Sequence, residues 1–224
     1  MAGFNDFPKM NRSVLSFDII VIGHLKWNPY FNERQENPPR GDPSTCTSTL
    51  ICGSDLQGKR YRLLIDTTLR DSKEAYYFDL NRRTGLLPED ITHCFITHSH
   101  FDHQIGVSYF PDTIWMAAAP VAQELTTSVH IDGSKVVGVS GEFLPGVFAI
   151  PLPGHTDTLH GVAFEFGGKR IVVAADGVMT KNHFINNTTM FESDTEVAAL
   201  TIKKLKHDVD FIIPGHDNII FNQR

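Results

Sequence analysis

Short apolar runs separated by turn residues dominate the hydrophobic pattern of this chain of 224 residues. Runs of this length, rich in β-branched and aromatic residues, predict strands, and the Gly-Gly pair at 167–168 predicts a hairpin. The clearest helix is predicted to begin at Ser193, where the residues SDTE at 193–196 match a capping box. Strands are predicted over residues 17–22, 47–52, 61–65, 92–97, 113–117, 147–152, 162–166, 170–175 and 211–213, with weaker helices after residue 103 and over 120–127.

Strands in series with occasional helices between them predict an α/β (α+β) chain, in which sheets pack together under a cover of helices. The length suits a single domain over residues 1–224. Residues 23–46 are rich in Pro, Asn and charge, so this long connection is predicted to be a loop that acts as a lid or binding segment. Its Trp27, Tyr30 and Phe31 either cap a site or pin the loop to the body of the protein.

The composition excludes several classes of function. The formal charge of −6 offers no broad attraction for nucleic acid. Apolar runs fall short of the ~20 residues that a membrane span needs, and the N-terminus lacks a targeting pattern, so we expect no membrane contact and a cytoplasmic location. The three cysteines argue against a disulfide framework.

Side chains that can bind metals follow five of the predicted strands. They are Asp66, His98, His155, Asp176 and His216. Because the carboxyl ends of strands are where α/β sheets commonly assemble ligand sites, we expect these side chains to converge. Pro-Gly-His ends two of the strands, which suggests two related halves facing one site.

The segment HSHFDH, residues 98–103, concentrates further candidates. In extended backbone His98 and His100 point to the same side and can hold one cation, and a turn can aim Asp102 and His103 at a second point. Imidazole suits zinc and iron, and a carboxylate adds charge that holds two dications together. We therefore predict a metal site. The other histidines are expected to be structural or exposed, and among them His24, His160 and His183 lie nearest to the predicted site loops.

This segment is similar to the HxHxDH signature of the metallo-β-lactamase-fold superfamily, and Gly154-His155, Asp176 and Gly215-His216 follow in the family order. The resemblance implies a four-layer αββα sandwich with a two-metal site along one edge. Thr68 replaces a glycine that the family often has, and Gln104-Ile105-Gly106 replaces its usual small residues. The resemblance implies His98, His100 and His155 as ligands of the first metal, Asp102, His103 and His216 as ligands of the second, Asp176 between them, and Asp66 as support.

The resemblance also implies a reaction. We expect a metal-dependent hydrolase in which a metal-bound hydroxide attacks an ester, lactone, thioester or related bond of a small-molecule substrate. Two divalent ions are expected, zinc first, with iron or manganese as alternatives. Asp102 would orient the hydroxide and accept its proton. The sequence does not identify the group that protonates the leaving atom, for which a metal-held water, Tyr30 and His183 are the candidates.

Two alternatives stay open at this point. The run DHQIGVSYFP resembles a short single-domain subgroup, typified by metallo-β-lactamase domain-containing protein 1 and linked to RNA processing, so a nuclease acting on RNA is the first alternative. Persulfide dioxygenases of the same superfamily carry a similar motif with one iron, which makes an oxidoreductase the second. The sequence does not determine the oligomeric state, and a homodimer is compatible with each of these functions.

Overall fold

The computed structural model describes residues 13–25, 45–68, 70–189 and 194–222 of the chain. Its strands form two six-stranded sheets, each built from a continuous half of the sequence. In the first sheet the strands follow chain order, antiparallel from β1 to β3 and parallel from β3 to β6. Its strands are β1 (Val14–Val21), β2 (Ser48–Ser54), β3 (Arg60–Ile65), β4 (His93–Ile96), β5 (Ile114–Ala118) and β6 (Val137–Val139).

The second sheet runs in the order β12-β11-β10-β9-β8-β7, with β10 and β11 parallel and the other pairs antiparallel. Its strands are β7 (Gly141–Leu144), β8 (Val147–Pro151), β9 (His160–Phe166), β10 (Lys169–Ala175), β11 (Phe211–Pro214) and β12 (Ile220–Phe221). The helices are α1 (Lys73–Thr84), α2 (Phe101–Gln104), α3 (Ala119–Leu125), α4 (Lys181–Asn186) and α5 (Thr195–Asp208).

Three apolar clusters hold four layers together. Between the sheets, Phe95 and Leu63 of the first sheet pack with Phe164 and Val173 of the second. Helices α1 and α3 cover the outer face of the first sheet, and α5 covers the outer face of the second through residues such as Ile202. The predicted αββα sandwich is therefore confirmed. Burying such side chains contributes about 1.5–3 kcal/mol each relative to full exposure.

The structure corrects one helix prediction and adds one helix. The N-cap of α5 is Asp194, one residue later than expected, because its side chain accepts hydrogen bonds from the main-chain N–H groups of Glu196 and Val197. Helix α1 was not predicted at all, since only Tyr76 and Leu80 of its residues are buried.

The long loop predicted over 23–46 falls mostly on residues 26–44, outside the described ranges, together with Trp27, Tyr30 and Phe31. Within the described ranges, the structure has no helix whose length and hydropathy suit a bilayer crossing.

Candidate metal centre

Seven metal-capable side chains meet at one edge of the sandwich, where strands of both sheets end. The loop after β4 supplies two of them, helix α2 the next two, and the segments after β8, β10 and β11 one each. The parallel arrangement of β3 to β6, and of β10 with β11, brings strand ends to the same edge. The structure thus brings together all the residues predicted as ligands, in two groups. One group is His98, His100, His155 and Asp176, and the other is Asp102, His103 and His216.

The carboxylate of Asp176 lies between the two groups, and each of its oxygens faces a different one. Oδ2 is 3.3 Å from His155 Nε2 and 3.9 Å from His98 Nε2. Oδ1 is 3.2 Å from both His103 Nε2 and His216 Nε2. Only 3% of Asp176 is exposed. One buried carboxylate therefore faces both ligand groups.

Each group also contains a contact of its own. In the first, His155 Nε2 lies 2.9 Å from His100 Nδ1. In the second, Asp102 Oδ2 lies 3.6 Å from His216 Nε2 and 3.9 Å from His103 Nε2. The first group has three imidazoles and one carboxylate, and the second has two imidazoles and one carboxylate, with Oδ1 of Asp176 beside it. Both donor sets suit zinc and other borderline divalent ions.

Asp66 lies directly behind the second group and orients two of its neighbours. Its Oδ2 accepts hydrogen bonds from His103 Nδ1 at 2.8 Å and from Thr97 Oγ1 at 2.7 Å, and its Oδ1 accepts from Thr97 N at 2.9 Å. A carboxylate acceptor requires a proton on His103 Nδ1, which leaves the Nε2 lone pair directed at the site. The supporting role predicted for Asp66 fits this geometry.

Hydrogen bonds at Nδ1 also determine the tautomers of His216 and His98. His216 Nδ1 lies 2.9 Å from the main-chain oxygen of Thr45, which can only accept, so His216 Nε2 is unprotonated in the neutral ring. Thr97 Oγ1 gives its proton to Asp66 and therefore accepts from His98 Nδ1 at 3.1 Å. His98 consequently also presents an Nε2 lone pair to the site.

The fit of a metal is tested by the hydrogen bonds that these atoms lack. His98 Nε2, His103 Nε2 and Asp176 Oδ1 are buried and make no hydrogen bond with the residues that the structure describes. Buried polar atoms are otherwise almost always satisfied, and an orphan costs about 1–3 kcal/mol. All three point into the same small volume, so divalent cations fit the donor set.

Charge coupling inside the site is strong. Burial opposes ionisation of Asp176, but His216 and His103 outweigh it and hold the pKa of the carboxyl well below its usual value. Burial disfavours the charged form of His103, yet the nearby carboxylates of Asp176, Asp102 and Asp66 raise its pKa well above normal. Burial keeps the pKa of His98 well below normal. Because a cation must displace the bound protons, its affinity rises with pH.

Cys46 lies beneath the second group. Its Sγ donates to the main-chain oxygen of Asp102 at 3.1 Å and lies 3.6 Å from that of Asp66, while its N donates to Thr68 Oγ1 at 2.9 Å. Burial raises the pKa of Cys46 to about 11, so the group is a thiol at neutral pH. Cys46 therefore supports the loop as a hydrogen-bond donor. All three cysteines are free, as expected.

The three other histidines singled out from the sequence occupy supporting positions. His24 Nδ1 lies 3.0 Å from Thr45 Oγ1, and His160 N donates to the main-chain oxygen of Thr97 at 3.1 Å. His183 is fully buried, and burial lowers its pKa to about 4, so at neutral pH it has no imidazolium proton to give a leaving group. Its predicted role as proton donor is not supported by this placement.

Sequence reasoning did not single out Glu124, which lies beside the first group. Its carboxylate binds Ser99 Oγ at 3.0 Å and Thr158 Oγ1 at 2.8 Å. No local pattern marks Glu124, because these partners are far from it in sequence. Phe101, between His100 and Asp102 in the chain, is 44% exposed, and its ring meets His130 edge-on at a centroid distance of 4.7 Å. This pair adds an apolar surface next to the ligand loop.

Comparison with known proteins agrees with this geometry. Residues 41–216 match the metallo-beta-lactamase superfamily. An N-acyl homoserine lactonase from a Bacillus species is 26% identical over 159 residues, which cover 65% of this chain and 64% of the lactonase. The match therefore spans less than two thirds of the length of that relative.

Two solved structures show the same fold. A quorum-quenching N-acyl homoserine lactone lactonase has a TM-score of 0.61 at 19% identity, covering 93% of this chain and 94% of its own. AidC, a dizinc quorum-quenching lactonase solved with the product N-hexanoyl-L-homoserine, has a TM-score of 0.61 at 15% identity, covering 79% and 75%. At these identities the likeness is one of fold.

Proposed function

Because this chain belongs to the metallo-β-lactamase superfamily, we propose that it is a dinuclear metal-dependent hydrolase acting on a lactone or a related ester or thioester. The observation that carries the proposal is the placement of Asp176, whose two oxygens face two separate groups of ligand atoms. The likeness to N-acyl homoserine lactonases supports lactones as the first substrate class to test.

When bound, two divalent cations supply Lewis-acid activation of a water molecule and of the carbonyl under attack. The protein contributes the arrangement of the groups around them. Asp176 keeps the two ligand groups together, and Asp66 holds His103 in the tautomer that has a free Nε2. Asp102 is the more exposed of the two carboxylates within the groups, with 22% of its side chain accessible. It orients the attacking water and takes up its proton.

The exposed aromatic ring of Phe101 supports a substrate with a hydrocarbon portion. Phe101 lies between His100 and Asp102 in the chain, so an acyl chain packed on its ring would keep the scissile carbonyl close to both ligand groups. Such a contact would exclude water from the site, and the exclusion of water strengthens the electrostatic interactions there.

The test combines metal analysis with a substrate panel. We expect about two zinc ions per chain and acid release from N-acyl homoserine lactones or simple aryl esters, lost in His155→Ala and kept in the exposed-surface variant Gln123→Ala. The panel also includes a thioester, a β-lactam, single-stranded RNA and a persulfide.

Two results would replace the proposal. RNA cleavage that disappears in His100→Ala, without turnover of the small esters, would establish a nuclease. One iron per chain with oxygen consumption on the persulfide would establish a dioxygenase.

A further inference from the structure

Glu124 connects two loops that carry ligands of the first group. Its Oε2 accepts a hydrogen bond from Ser99 Oγ at 3.0 Å, and its Oε1 accepts one from Thr158 Oγ1 at 2.8 Å. Ser99 directly precedes His100 in the loop after β4, and Thr158 follows His155 in the loop after β8. One carboxylate therefore spans the two halves of the sandwich beside the first ligand group.

We propose that Glu124 is a positioning residue that sets the separation of His100 and His155 and thereby the affinity of the first metal. This inference rests on the proposed function. The two loops are joined at their base, where His160 N donates to the main-chain oxygen of Thr97 at 3.1 Å. Glu124 joins them a second time, through Ser99 and Thr158, so that the basal bond is not their only connection beside the first ligand group.

The helix that carries Glu124 is anchored to the first sheet. Helix α3 packs on the first sheet through Val121 and Leu125, both with 0% exposure. The Ser99 main chain is held independently, since its oxygen accepts a hydrogen bond from Gln104 Nε2 at 2.5 Å. Although Glu124 itself is exposed, its carboxylate presents two acceptors from this helix, which suits two hydroxyl donors from different loops.

The loss of Glu124 should affect the first metal site and not the second. His103 and His216 of the second group are oriented by Asp66 and by the main-chain oxygen of Thr45. Glu124 makes no hydrogen bond with them among the bonds of the described residues. Removing Glu124 is therefore expected to weaken the first metal and to leave the second largely unchanged.

Zinc titration of the metal-free, full-length protein in competition with a chelating dye tests this inference. We expect Glu124→Ala to weaken one of two ions about tenfold, the lower end of the loss caused by removing a direct partner of a ligand, because Glu124 acts through the neighbouring residues Ser99 and Thr158. Glu124→Gln should recover most of the affinity, because its amide can accept from one hydroxyl and donate to the other. Gln123→Ala, a neighbouring exposed change on α3, should match the wild type.

A His216→Ala background identifies the ion that is affected, since it removes a ligand of the second group alone. The loss caused by Glu124→Ala should persist there, and the cobalt-substituted protein should show altered visible absorption bands. If Glu124→Ala proves unfolded, Ser99→Ala and Thr158→Ala each remove one bond and carry the same expectation.

Affinities within twofold of the wild type in the folded variant would overturn the positioning role alone. An equal loss at both sites would also overturn it, because it would indicate general destabilisation. A wild-type protein that binds no zinc would refute the proposed function itself, and the positioning role with it.

Discussion

Asp66→Asn is expected to damage the second metal site without removing a ligand. The wild-type carboxylate accepts three hydrogen bonds, two from Thr97 and one from His103 Nδ1. Asparagine keeps one acceptor oxygen, and if it stays on Thr97 N the amide nitrogen faces His103. The ring must then accept at Nδ1 and carry its proton on Nε2, the atom that faces Asp176.

The magnitude follows from these contacts. Changing a group that orients a ligating imidazole lowers metal affinity about 10–100-fold, or about 1.4–2.7 kcal/mol. The lost hydrogen bonds of a buried charge cost the metal-free fold a further 1.5–3 kcal/mol, roughly. The first group should lose less, because His98 depends on Asp66 only through the Thr97 hydroxyl.

Zinc titration and urea denaturation of the same preparations measure both effects. The matched control is Asp112→Asn, which makes the same chemical change at an exposed position. We expect the control to bind two ions with wild-type affinity. A folded Asp66→Asn protein whose two zinc affinities stay within twofold of the wild type would refute the tautomer argument.

Further predictions address the bridge, the backbone beside it and the response to acid. Asp176→Asn should reduce zinc binding below two ions per chain and lower any hydrolytic rate at least about a hundredfold, whereas retained activity would contradict the bridging role. Gly215→Ala would bring a methyl group within 2.8 Å of the carbonyl carbon of Ala175 and onto Asp176 Oδ1. It should destabilise the fold by about 1–3 kcal/mol in urea denaturation and weaken both zinc ions, and unchanged values would count against the close packing. In chelator-treated protein, stability should fall as the pH drops from about 6.5 towards 4, because the unfolded chain binds a proton that buried His183 resists. His183→Gln should flatten this dependence, and an identical slope in the variant would show that other groups cause it.

The sequence was most informative where one residue follows a buried strand. Apolar runs predicted the strands, and the side chains that directly follow β3 and β10 could be expected at one edge because parallel strands end together. The residues from His98 to His103 were equally clear, since their spacing alone places four ligands in one loop. The predicted ligand set is accordingly the part of the site that local sequence describes best.

Other parts of the site depend on contacts between distant segments. Glu124 and Cys46 contact the ligand loops only through tertiary packing, and no spacing along the chain predicts these contacts. Helix α1 was missed for a different reason. Its buried stripe consists of Tyr76 and Leu80, although Ser72 at its N-cap and a left-handed Gly85 at its C-cap are ordinary helix boundaries. Capping residues alone were too weak a signal beside so narrow an apolar face.

The division of the chain into two successive sheets has a consequence for how the protein would respond to metal depletion. Residues before Ser140 build one sheet and those after it build the other, yet each ligand group takes members from both. A cation held in this way would cross-link the two halves of the chain, and its binding energy would stabilise their packing against each other. Removing the cation would therefore weaken the interface between the two sheets before either half of the chain unfolded.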